Sequence, residues 1–65
     1  MNRTQHHLDL ANAHQRKAAE ARAESRKHTR AGDLNEARAA TLLARANINL
    51  REHHLALAEI ADQNT

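Results

Sequence analysis

Gly32 is the only glycine in a chain of 65 residues that has no proline, and on both sides of it alanine, arginine, glutamate, lysine and glutamine predominate. These residues are among the strongest helix formers, and nothing from Thr4 to Arg30 breaks a helix. The sequence therefore predicts an all-α fold of two helices, about 4–30 and about 34–62, joined by a turn at 31–33. Gly32 suits the left-handed position that ends a helix. Asp33 is placed to cap the next one, with Glu36 three residues on completing a capping box. A connection this short leaves no length for a crossover, so the helices form an antiparallel hairpin, and residues whose numbers sum to about 64 face each other.

The apolar side of helix one reads His7, Leu10, Ala11, His14, Ala18, Ala21, Ser25 and His28, a narrow seam of small residues at heptad-like spacing. Helix two has a main stripe of Ala39, Leu42, Leu43, Ala46, Leu50, His53, Leu57, Ile60 and Ala61. That stripe is expected to pack on helix one, with Leu43 against Ala21 and Ala46 against Ala18. A second stripe of Ala37, Ala44, Ile48 and Leu55 lies on another side and is assigned to an interface. Ten large aliphatic side chains, eight of them after Gly32, make a thin core for a chain this short. With no cysteine, a disulfide cannot supplement it. The expectation is a homodimer forming a four-helix bundle, or a hairpin completed by a partner helix.

Six histidines form the first candidate chemistry. Antiparallel geometry gathers His7, His14, His53 and His54 at the open end of the hairpin, a weak candidate set for zinc, copper or nickel. No H-x-x-x-H pair or HExxH motif supports it. The alternatives are polar seam residues and a contact that loosens in mild acid. The second candidate is a basic face. Residues 1–31 carry seven Lys or Arg against three acids, whereas residues 33–65 carry three Arg against five. Arg16, Lys17, Arg22, Arg26, Lys27 and Arg30 could follow a phosphate backbone, although Glu20 and Glu24 interrupt the run and are expected to take up part of its charge. With no aromatic residue there is no stacking platform for unpaired bases.

No nucleophile with a base, no glycine-rich phosphate loop and no scope for a closed pocket argue against an enzyme, a cofactor or a small-molecule substrate. The absence of a long apolar run or an apolar leader argues for a cytoplasmic protein without a membrane partner. The turn Gly32-Asp33-Leu34-Asn35-Glu36-Ala37, followed by Ala44, resembles the inter-helix turn of tetratricopeptide hairpins, although that family's aromatic positions are absent and its helices are shorter. In length and plan the chain is similar to the Rop-type plasmid regulators, hairpins that dimerise into four-helix bundles and bind paired RNA loops. That resemblance is architectural and carries no residue motif. The functional expectation is a non-enzymatic interaction or regulatory module, with backbone-directed nucleic-acid binding as the alternative and histidine-mediated metal binding after it.

Overall fold

The computed structural model describes residues 3–64. They form two helices, α1 (Arg3–Ala31) and α2 (Leu34–Gln63), with no strand among the described residues. The helices pack along their lengths into a hairpin of 51 × 15 × 9 Å, a single layer whose two broad faces are both open. Among the described residues no helix is long and apolar enough to cross a membrane.

The turn keeps the left-handed glycine its residues suggest but not the aspartate cap. Gly32 has φ of 82°, and its N–H donates to the Thr29 carbonyl at 3.1 Å while the Asp33 N–H donates to the His28 carbonyl at 2.9 Å. This pair of bonds is the Schellman arrangement, which satisfies carbonyls left open at the end of α1. Asp33 makes no side-chain capping bond to α2. Its carboxylate instead lies 3.8 Å from His28 Nδ1, so the capping box is replaced by a contact that ties the turn back onto α1.

The seam of α1 lies where its spacing places it: Ala11, Ala18 and Ala21 are buried, with Thr4, His7, His14, Ser25 and His28 half-buried between them. Its partner face on α2 is Ala37, Ala40, Ala44, Asn47, Arg51, His54, Ala58 and Ala61, all buried or half-buried and alternating three and four residues apart. This corrects the expected packing. Leu43 is 57% exposed and Ala46 is exposed, so Ala46 does not pack on Ala18, and Leu43 only flanks Ala21 from the rim of a shallow groove. The helix is turned by roughly a third of a revolution from the expected orientation, at 100° per residue. Small side chains facing small side chains bring the two backbones close, and leucine would hold them apart.

Polar contacts across the seam fix this orientation and register. Ser25 Oγ and Thr41 Oγ1 are 2.8 Å apart, and both lie 3.0 Å from the Ala37 carbonyl. His14 Nδ1 meets Asn47 Oδ1 at 3.0 Å, while Asn47 Nδ2 donates to the Leu43 carbonyl at 3.0 Å. Asn47 is thus satisfied at both ends, as a 6% exposed amide must be. The numbers of these facing pairs sum to 61 for His14 with Asn47 and 66 for Ser25 with Thr41, around the expected antiparallel value.

Two substitutions test this packing. Ala44→Leu overfills the seam and should cost about 1–3 kcal/mol in denaturant unfolding, whereas Ala56→Leu, on the exposed back of α2, should leave stability within about 0.5 kcal/mol. At Gly32 a Cβ would meet no atom within 4 Å. Gly32→Ala should therefore lose only the conformational term, about 1 kcal/mol, in the same measurement.

Candidate functional site

Three groups of side chains stand out on this scaffold. At the open end, the heptad spacing of His7 and His14 puts both on the α1 seam, and His54 enters between them from α2. His54 stacks on His14 with centroids 5.6 Å apart and planes 6° apart, and on His7 at 5.3 Å and 24°. His7 Nδ1 and His54 Nδ1 are 3.1 Å apart. That hydrogen bond needs one nitrogen to donate and the other to accept, so the pair cannot carry protons on both. His6 and His53 stand at the margin, 5.4 Å from His7 and His54 respectively.

The structure thus brings together three of the four histidines singled out as metal candidates, and leaves His53 at the edge. Imidazole lone pairs lie in the ring plane, so nearly parallel stacked rings direct theirs along separate planes, and the Nδ1 of His14 is already engaged by Asn47. Among the described residues no group of three His, Cys, Asp or Glu is arranged to hold a metal ion. The neighbouring seam residue, Arg51, pairs with Glu52 but leaves its buried Nε without a hydrogen-bond partner.

The basic run of α1 is divided between the two faces. Arg22 and Arg26 line one groove together with Arg45 of α2. Lys17 lines the opposite groove with Glu20 and Glu24. Arg16, Lys27 and Arg30 are exposed, and Arg16 and Arg30 stand on the back of α1, opposite the seam. The expected neutralisation by helical ion pairs does not occur. Glu24 reaches His28 at 3.7 Å, and no ion pair forms between the six basic residues of this run and an acid among the described residues. Arg45 was not legible as part of this face from composition, although the antiparallel numbering places position 45 within a turn of Arg22.

The third group is the apolar flank of α2. Of the second stripe, Ala37 and Ala44 are buried inside the hairpin, Ile48 is half-buried beside the arginine groove, and Leu55 is 39% exposed. The assignment of Ala37 and Ala44 to a partner interface is therefore replaced by a role in the seam. The large aliphatics left outside are Leu34, Leu42, Leu43, Leu50, Leu55 and Ile60, at 39–68% exposure. Leu43 and Leu50, with the half-buried Leu57, recur every seven residues along one flank. Comparison with known protein families, characterised proteins and solved structures gives no match.

The histidine cluster sets a pH dependence. Desolvation, followed by repulsion from His53, His7, His14 and His6, lowers the His54 pKa below its ordinary 6.5. The unfolded chain then binds that proton more readily than the folded one, so the contribution is complete above 6.5 and is lost as pH falls through the lower folded value. The melting temperature should drop between about pH 7.5 and about pH 5, and His54→Gln should flatten that dependence.

Proposed function

We propose that the protein is a non-enzymatic interaction module whose binding surface is the leucine flank of α2, and that a second copy supplies the partner helix, giving a four-helix bundle. The observation that carries this reading is the composition of the hairpin's interior. Among the described residues the buried ones are six alanines and Asn47, no large side chain is fully buried, and six Leu or Ile residues remain exposed on α2. A single hairpin has used its small residues for its own seam and has left its main hydrophobic area unburied.

The exposed residues are also ordered. Ala39, Leu43, Ala46, Leu50, His53, Leu57 and Ile60 alternate four and three residues apart. This is a second heptad seam on the same helix, about a third of a turn from the first, and such spacing is what a partner helix requires. Leu43, Leu50 and Leu57 are its large knobs, with Ala39 and Ala46 leaving holes between them.

Charge favours self-association in an antiparallel sense. The first part of α2 carries Arg38, Arg45 and Arg51 against Glu36, whereas its last part carries Glu52, Glu59 and Asp62 and no cation. Two copies of α2 running in opposite directions oppose their helix dipoles and bring the net-positive half of each nearer the net-negative half of the other, a long-range effect, since Arg45 itself lies on the face away from the leucine flank.

Light scattering over a concentration series tests this reading. The wild-type chain should show twice the single-chain mass, and Leu50→Asp with Leu57→Asp should show the single-chain mass. A wild-type chain that stays at single-chain mass at the highest concentration, with helicity intact, would overturn the proposal.

A further inference from the structure

The broad face opposite the leucine flank carries a different feature. Between the middle of α1 and the first half of α2 runs a groove of about 430 Å³, lined by Arg22, Ser25 and Arg26 on one side and Thr41, Arg45 and Ile48 on the other. None of the three guanidinium groups forms an ion pair among the described residues. The two acids of the basic run, Glu20 and Glu24, line the opposite groove and do not neutralise this one. Three like charges are thus held along one depression without a counter-charge from the protein, an arrangement that lowers stability unless an anion occupies it.

The polar wall of the groove suits an oxyanion. The hydroxyl protons of Ser25 and Thr41 serve three contacts: one to each other and one from each to the Ala37 carbonyl. That carbonyl lies within α2 and also accepts a backbone helix bond. Thr41 can therefore turn its proton outward while Ser25 donates to Thr41 Oγ1, and Ala37 keeps its backbone partner. Guanidinium groups match phosphate oxygens in a planar, two-pronged geometry that a lysine ammonium lacks, and all three cations here are arginines.

From this arrangement we infer that the Arg22–Arg26–Arg45 groove is a binding site for a phosphate oxyanion, either free or as the diester of a nucleic-acid backbone. With no aromatic residue in the chain, a nucleic-acid ligand would be held by its backbone and not by its bases. The site is complete within one hairpin and faces away from the leucine flank. It therefore does not depend on self-association, and a four-helix bundle would present two copies of it on its outside.

The test is a titration of the full-length ¹⁵N-labelled chain with inorganic phosphate, ionic strength held constant with chloride, and a parallel anisotropy titration of a labelled RNA duplex. The expected result is saturable shifts at Ser25, Thr41 and the three arginine side chains. Arg45→Gln, which keeps a good helix former on an exposed position, should weaken binding about tenfold. Arg16→Gln, on the back of α1, is the control for general charge. Saturation by phosphate that is sensitive to Arg45→Gln supports the site with free phosphate as ligand. Duplex binding alone, weakened more by Arg45→Gln than by Arg16→Gln, supports it with the diester as ligand. Binding of neither probe, or equal losses in the two variants, would overturn it.

Discussion

The close approach of two alanine-lined helices governs the rest of this structure. Ala11, Ala18 and Ala21 face Ala37, Ala44 and Ala58 across the seam, each no more than 6% exposed. A methyl group gains little on burial, about 1 kcal/mol or less, so a seam made of methyl groups is a weak source of hydrophobic stabilisation. It does allow backbones to come near enough for short side chains to bond across the gap. Ser25 and Thr41 share the Ala37 carbonyl, and His14 reaches Asn47. Such contacts are directional where methyl packing is not, so they determine how α2 is rotated and which residues it presents outward.

That rotation produces two unlike faces. With the small residues turned inward, Leu43, Leu50 and Leu57 fall along one flank and Arg45 falls on the other, beside Arg22 and Arg26. The apolar flank is left exposed, and the arginines of the groove have no ion-pair partner among the described residues. The ends differ as well. At the turn, His28 sits between the carboxylates of Glu24 and Asp33. At the open end His7, His14 and His54 are held mainly by one another. Desolvation and the neighbouring imidazoles disfavour protonation of His54 at the open end.

Much of this could be read without coordinates, because it depends on local rules. The breaker-free stretches and Gly32 specify two helices, and the short turn specifies their antiparallel sense. The seam of α1 was legible because that helix offers a single line of small residues. The histidine gathering followed from antiparallel numbering alone. The partner face of α2 was not legible, because α2 carries two heptad patterns and hydrophobicity favours the wrong one. The leucine stripe is the stronger apolar signal, yet it lacks the hydroxyl and amide groups that match Ser25 and His14. Thr41 and Asn47 were the overlooked indicators, polar residues at seam spacing among alanines.

The sequence by itself determined the helices, the turn and the approximate register, since these follow from backbone preferences and from the length of the connection. Only the tertiary structure decided which face of α2 is buried, and with it the position of Arg45, the exposure of the leucines and the replacement of the Asp33 cap by a contact with His28. A heptad pattern shows that a helix has a face to cover but not what will cover it. Here that depended on how closely the backbones approach and on which polar groups find partners across the gap.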